Sequence, residues 1–241
     1  LTGVHIGTYG ANRDDAASLS TLVEQLVTAV PRVRFRLSSI EATEIDDRLE
    51  EIMVGNPDRL APHIHAPLQS GSDRLLKRMG RHWYRARTYR RRLESLAAKL
   101  PRFGLGADVM VGFPGETHAD FSSTFDLLQD LPVTYLHVFS YSERAGTAAT
   151  RLGSLVEPRV SRSRSAELRA LATEKARSYR TRRDAGLADV VILSRSAGRY
   201  EGLTGDYLKV YLATDTVPPV RFGAELRLEE EMLLASPIRE Q

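Results

Sequence analysis

The sequence predicts an α/β fold: an incomplete parallel (βα) barrel followed by a small C-terminal all-β barrel. Three observations carry this expectation. Over the first three quarters, short apolar runs alternate with amphipathic stretches of helical period, the pattern of βα units in one direction. Five such repeats need crossover connections, which a sandwich does not supply. Beyond Glu157-Pro158 the texture changes to an Arg-rich helix and then to short strands spaced by Gly, Asp and Pro turns.

Taken in order, Leu1 to Ile6 reads as a strand. A helix follows from about Asp14 to Val30, with Leu19, Leu22, Val23, Leu26 and Val27 on one face. Val33 to Leu37 is the next strand and Ile45 to Met53 the next helix. His63 to Pro67 is a third strand. Asp73 to Met79 and Tyr84 to Leu100 are helices separated by Gly80. Leu105 to Val111 is a fourth strand, His118 to Asp130 a helix, and Thr134 to Ser140 a fifth strand. Val160 to Arg183 is a long helix with Leu168, Leu171 and Ala172 as a thin apolar stripe, and Gly186 is its stop. Val190 to Leu193, Tyr207 to Leu212 and Ala224 to Leu228 are strands of the terminal module. The domain boundaries that follow are 1–185 and 186–241.

At 241 residues, with 42% hydrophobic and 27% charged residues, the chain can bury a substantial core, roughly 70% of its unfolded surface. No apolar run approaches the roughly 20 residues of a membrane helix, and the start shows neither a basic segment nor a cleavage site, so the expected location is cytoplasmic with no membrane partner. The absence of cysteine excludes disulfides and any thiolate-held metal within this chain. Beginning at Leu1 without Met, already in an apolar segment, it reads as a piece of something longer. The net charge of +3 is mild, but its arginines are concentrated, which points weakly to a polyanion.

Chemistry in such folds sits at the carboxyl ends of strands. Gly112-Phe113-Pro114-Gly115-Glu116 follows an apolar strand; its glycines admit a ligand close to backbone and Pro114 fixes its shape. Glu116 equally suits a helix N-terminus. Gln69-Ser70-Gly71-Ser72 offers an amide, hydroxyls and free N–H groups, while Ser72 equally suits an N-cap. Ser39 and Glu41 lie just past a strand end, where ligand binding and capping compete. His63 and His65 share one face of a strand at metal-ligand spacing. With His137 and Asp108 they permit a metal-dependent barrel hydrolase, although a strand histidine is more often a packed core residue. The densest positive run includes Arg74, Lys77, Arg78, Arg81, Arg85, Arg87 and Arg90, with Trp83, Tyr84 and Tyr89 interleaved. It could engage a phosphate backbone and stack on bases, or it could be a solvated helix face.

Five segments in order carry a resemblance. They are Leu1-Thr2-Gly3-Val4-His5-Ile6-Gly7, Arg36-Leu37-Ser38-Ser39-Ile40-Glu41, His65-Ala66-Pro67-Leu68-Gln69-Ser70-Gly71-Ser72, Gly112-Phe113-Pro114-Gly115-Glu116-Thr117, and Phe139-Ser140-Tyr141-Ser142. Over nearly the whole chain they resemble the radical S-adenosylmethionine methylthiotransferases, most like the branch that modifies threonylcarbamoyladenosine beside the tRNA anticodon. The terminal module resembles a TRAM domain, an RNA-binding barrel. The resemblance implies a radical-SAM-type barrel in which S-adenosylmethionine is cleaved reductively at a [4Fe-4S] cluster and a methylthio group is placed on C2 of the modified adenine. It implies Ser39, Glu41, Gln69, Arg81, Pro114 and Glu116 as S-adenosylmethionine contacts, and a tRNA anticodon stem-loop as partner, with Arg85, Arg87, Arg90 and Lys209 toward RNA. Where the family reads Arg-x-Tyr-Thr, this chain has Arg81-His82-Trp83-Tyr84. The cluster cysteines of the family belong upstream of Leu1, so the implied reading is an inactive fragment with no catalytic residue and no cluster ligand of its own. A non-catalytic RNA-binding protein is the other alternative.

Overall fold

The computed structural model describes residues 1–3, 5–11, 17–196, 198–212, 214 and 216–238. They fall into two compact units, Leu1–Thr173 and Glu174–Gln241.

In the first unit a parallel sheet of order β1-β2-β3 is made by β1 (His63–His65), β2 (Gly104–Val111) and β3 (Tyr135–Ser140). Central β2 buries six of its eight residues, the near-continuous burial of a strand covered on both faces. Two further segments expected as strands do not become regular strands. Phe35 bridges Leu60, and Ser39 bridges His65, both in parallel sense. Leu1 accepts a hydrogen bond from Ser38 N at 2.9 Å. The Val33–Leu37 strand is therefore reduced to isolated bridges. The Leu1–Ile6 strand is replaced by a single 3-10 turn at Ile6–Thr8, with Val4 outside the described residues.

The helices are α1 (Leu19–Ala29), α2 (Asp47–Gly55), α3 (Asp73–Arg78), α4 (Ala86–Lys99), α5 (His118–Asp130) and α6 (Pro158–Arg182). Ser18 caps α1, accepting from Thr21 N at 3.1 Å. The expected start at Asp14 lies outside the described residues. Leu19, Val23 and Val27 recur every four residues and are buried, as are Tyr89, Leu93 and Leu96 of α4 and Phe121, Thr124 and Leu128 of α5. The apolar ones join Leu105, Ala107, Val109 and Val111 of β2 in one core. Burial of this kind contributes about 25 cal/mol per Å² of apolar area. Two tyrosines seal the end of β1: Tyr89 Oη donates to Ala66 O at 2.7 Å and Tyr84 Oη to Leu68 O at 2.6 Å. Burial pushes the Tyr84 hydroxyl up to about 12, so it remains a donor.

The second unit is a closed barrel of five strands in the order β4-β5-β6-β8-β7. They are β4 (Leu187–Ser196), β5 (Arg199–Thr204), β6 (Lys209–Leu212), β7 (Arg221–Glu229) and β8 (Met232–Pro237). β6 and β8 pair in parallel; the other neighbours are antiparallel. Two strands, β5 and β8, exceed the sequence expectation. The inward positions of β5 are Tyr200, Gly202 and Thr204, too weakly apolar to read as a core strand. Gly202 is required by close approach, since a Cβ there would stand 2.6 Å from Val190 Cγ1. Tyr179 and Arg183 lie with this unit rather than with the preceding barrel because both bond Asp206. Tyr179 Oη donates to its Oδ2 at 2.7 Å and Arg183 Nε at 2.8 Å. Burial alone would raise the Asp206 carboxyl, but Arg183 and the hydrogen bonds hold it below the ordinary value.

Removing that carboxylate leaves Arg183 buried without its partner. Asp206→Ala is expected to destabilise the chain by about 3–5 kcal/mol, read as a lower urea midpoint at unchanged slope.

Candidate functional site

Loops at the carboxyl ends of the strands converge on a cavity of about 390 Å³ lined by His5, Ser39, Ile40, Glu41, Pro67, Gln69, Arg81, Trp83 and Asp108. Four residues expected as ligand contacts, Ser39, Glu41, Gln69 and Arg81, are thereby brought together from separate stretches of sequence. Ser39 is placed by its bridge to His65 and by the next residue, Ile40, whose N donates to His65 O at 3.0 Å. Glu41 precedes a 3-10 turn, Ala42–Glu44, and its backbone N donates to Glu44 Oε2 at 3.1 Å. Its carboxylate accepts from Arg81 Nη1 at 3.1 Å and from Trp83 Nε1. The Arg81 guanidinium stands 5.6 Å from the Trp83 ring centre. Gln69 holds a φ of 65°, the left-handed region that a side chain with Cβ rarely adopts. Backbone bonds on both sides keep it there: Gln69 N to Asp108 O at 2.8 Å and Met110 N to Gln69 O at 3.0 Å.

Pro114 and Glu116 line no part of this cavity. Glu116 Oε2 accepts from Gly112 N at 2.7 Å and from Arg164 Nη1 at 2.6 Å, closing its own loop. Burial pushes its carboxyl above the ordinary value in spite of those two donors. Pro114 O accepts from Arg78 Nε at 2.6 Å. Beside the same loop lies a second cavity, of about 330 Å³, lined by Gly112, Ser140, Tyr141 and Ser161 among others.

The two loops are held to each other through Asp120. Its carboxylate accepts from Ser72 Oγ at 2.6 Å, Thr117 N at 2.8 Å, Thr117 Oγ1 at 2.6 Å and Arg74. Ser72 caps α3 as the capping reading expected, accepting from Leu75 N. Burial opposes ionisation of Asp120, but these donors win and hold it far below the usual carboxylate range. Nothing in the sequence marked Asp120 except its place at the third helical residue after Thr117, the position of a capping box.

The arginine run is partly committed internally. Arg74 pairs with Asp120, Arg81 with Glu41, Arg90 with Glu94 and Asp130, and Arg92 with Asp47 and Glu50. Arg85 and Arg87 are exposed. In the second unit Lys209 pairs with Glu201 at 2.9 Å and lies 5.2 Å from the Tyr211 ring centre.

The histidines divide. His63 Nε2 meets Tyr135 Oη at 2.9 Å, and His65 Nδ1 meets the same hydroxyl at 3.1 Å. His65 Nε2 lies 3.0 Å from Asp108 Oδ1, and His137 Nδ1 lies 3.1 Å from that same oxygen. The group of potential ligands is thus His65, Asp108 and His137, without His63. Tyr135 was not singled out in the sequence, although Tyr135, His137 and Phe139 alternate along β3 as one face of a strand does.

No family model matches the chain. It is 36% identical over 216 residues to the threonylcarbamoyladenosine tRNA methylthiotransferase MtaB of Bacillus subtilis, a match covering 87% of this chain and 47% of that protein. It is 32% identical over 207 residues to the tRNA-2-methylthio-N(6)-dimethylallyladenosine synthase of Parafrankia sp., covering 85% of this chain and 41% of that protein. Among solved structures it is similar to the radical SAM enzyme coproporphyrinogen III oxidase HemN of Escherichia coli, at a TM-score of 0.44 and 18% identity, over 57% of this chain and 32% of that one. By sequence the chain is a relative of the methylthiotransferases, as its motifs indicated. More particularly, its similarity to the threonylcarbamoyladenosine tRNA methylthiotransferase extends over most of its residues, and it spans less than half the length of the relatives described.

Asp120 offers a pH-resolved check. Its folded pKa lies below the unfolded value of about 3.9, so its stabilisation is complete above that value and is lost as pH falls through the folded pKa. Asp120→Ala is expected to destabilise by about 3 kcal/mol at neutral pH, because Arg74 and the two loops lose their common acceptor. In urea titrations that penalty shrinks as the pH is taken below about 4.

Proposed function

We propose that this chain is the part of a tRNA-modifying methylthiotransferase that holds S-adenosylmethionine and contacts RNA, and that the parent enzyme places a methylthio group on C2 of N6-threonylcarbamoyladenosine beside the anticodon. The observation that carries the reading is the convergence of Ser39, Glu41, Gln69 and Arg81 on one cavity at the carboxyl ends of the sheet. Its donor set fits the cofactor: a carboxylate for an ammonium, a guanidinium for a carboxylate, and an amide with a hydroxyl for a ribose. When bound, S-adenosylmethionine would supply a carbon radical on reductive cleavage of one molecule, and the methyl group of the product from a second.

This chain's residues act by binding and orienting. Arg81 and Glu41 neutralise each other across the cavity and can exchange that contact for the two charged ends of a methionyl group. Trp83, 58% exposed, offers an aromatic face at the same mouth. Gln69 is held in position by backbone on both sides, so its amide is aimed before a ligand arrives. Pro114 and Glu116 act through the shape of the second loop, and Gly112 carries that loop to the second cavity.

The residues of this chain do not fit a [4Fe-4S] cluster, since it has no cysteine to supply thiolates. In this reading the thiolates belong to the rest of the parent enzyme. The five-stranded barrel serves as a TRAM-like RNA-binding module, with residues 186–241 as its extent and Lys209 on its surface; Arg85 and Arg87, exposed at the start of α4, and Arg90 behind them add charge toward the anticodon stem-loop. No helix among the described residues is long and apolar enough to cross a membrane.

Equilibrium dialysis with radiolabelled S-adenosylmethionine tests the reading. The chain is expected to retain the ligand, and Glu41→Gln or Gln69→Ala to weaken it about 10-fold, the loss of one hydrogen bond to a charged or oriented group. Binding unaffected by either change would refute the assignment of this cavity. Anaerobic treatment of the same chain with iron and sulfide is expected to give no stoichiometric cluster absorbance.

A further inference from the structure

His65, Asp108 and His137 stand on three adjacent parallel strands and on one face of the sheet. Asp108 and His137 are direct register partners, and His65 is the partner of Gly106, two residues earlier on the same face as Asp108. The two imidazole nitrogens approach one oxygen, Asp108 Oδ1, at 3.0 and 3.1 Å, and the ligating atoms of all three residues lie within 4.8 Å of one another. Ligands bound at about 2.1 Å in tetrahedral geometry are separated by about 3.4 Å, so the two imidazole–carboxylate spacings are within a few tenths of an ångström of those of a coordination sphere.

The surroundings match. His65 presents Nε2 to the group because Nδ1 is engaged by Tyr135 Oη, which also meets His63 Nε2. An outer contact of this kind fixes the ring and the tautomer of a metal-ligating histidine. Gly106 leaves the space this needs, since a Cβ there would fall 2.1 Å from the Tyr135 ring. His65 is nearly buried, whereas the His137 side chain is 57% exposed and Asp108 also borders the open cavity. Coordination positions toward the cavity are therefore accessible from solvent.

We propose that His65, Asp108 and His137 form a binding site for a divalent transition-metal ion. Two imidazoles and one carboxylate with open positions suit Zn2+ and the divalent ions of iron and cobalt better than Mg2+ or Ca2+, which take oxygen ligands. The other nearby group, His5 with Glu41 and Glu44, is the weaker claimant: Glu41 is engaged by Arg81 and Trp83, and Glu44 by His5 and the Glu41 backbone. The inference stands on these three strands alone and does not depend on the cavity holding S-adenosylmethionine.

Zn2+ titration of the full chain against a chromophoric chelator, with Co2+ substitution read in the visible d–d spectrum, tests it. Expected are one Zn2+ per chain and a Co2+ spectrum of mixed nitrogen and oxygen ligation. His137→Ala, at an exposed position, and Asp108→Asn each weaken binding by about 100-fold or more, beyond the 10–100-fold typical of outer contacts. Glu44→Gln leaves it unchanged. Absence of stoichiometric Zn2+ and Co2+ uptake by the unaltered chain, or uptake that survives both changes, or uptake abolished by Glu44→Gln, overturns the proposal.

Discussion

Asp120 is the contact on which the shape of the site depends. It is buried at the start of α5, yet it gathers donors from the loop that follows β1 and the loop that follows β2. Each loop alone would be a short connection with unsatisfied helix N-termini. Joined through one carboxylate, they become two walls of fixed separation. Thr124, one turn further along α5, adds a second tie by accepting from Gly71 N at 2.9 Å. Gly71 has no alternative, because a Cβ would meet the α5 backbone at 2.6 Å. The positions of Gln69 and Gly112 therefore follow from where α5 starts.

Legibility in the sequence tracked the kind of force involved. Segments whose burial repeats with a regular period were readable: α5 is found at His118–Asp130 as expected, and β2 and β3 lie within a residue of their expected ends. Segments held by a few specific hydrogen bonds were not. Phe35 is held by a single bridge, so the apolar residues of Val33 to Leu37 suggested a strand that the backbone never completes. In the second unit β5 was missed because two of its three inward residues are Gly202 and Thr204, leaving Tyr200 as its one large apolar contact, too little for a hydrophobic pattern. The division at Thr173–Glu174 was equally hidden, since it falls inside the continuous helix α6, where no turn residue marks it.

For the site, the sequence indicated which loops mattered but not how each residue is used. Ser39, Glu41, Gln69 and Arg81 meet at one cavity, which no local pattern specifies. Glu116 looked like a ligand and is engaged by Arg164, 48 positions away. The positive run looked like a surface for phosphate, and four of its arginines, Arg74, Arg81, Arg90 and Arg92, pair with acids of their own fold. A one-dimensional reading counts charges, but only tertiary contact shows which remain available to a partner.

The sheet face carrying Asp108 is the least economical part of the first unit. Leu105, Ala107, Val109 and Val111 of β2 enter the core, while the alternate positions bring a carboxylate against two histidines and a tyrosine. Burial opposes the charge on Asp108, and the His65 and His137 contacts turn the balance so that its carboxyl lies below the ordinary value. Apolar residues at the same four places would cover a parallel sheet with less desolvation. Gln69 adds backbone strain of order 1 kcal/mol at the rim of the same cavity. Two departures from what folding alone favours, on adjoining residues of one face, are the pattern of a surface shaped to bind a ligand.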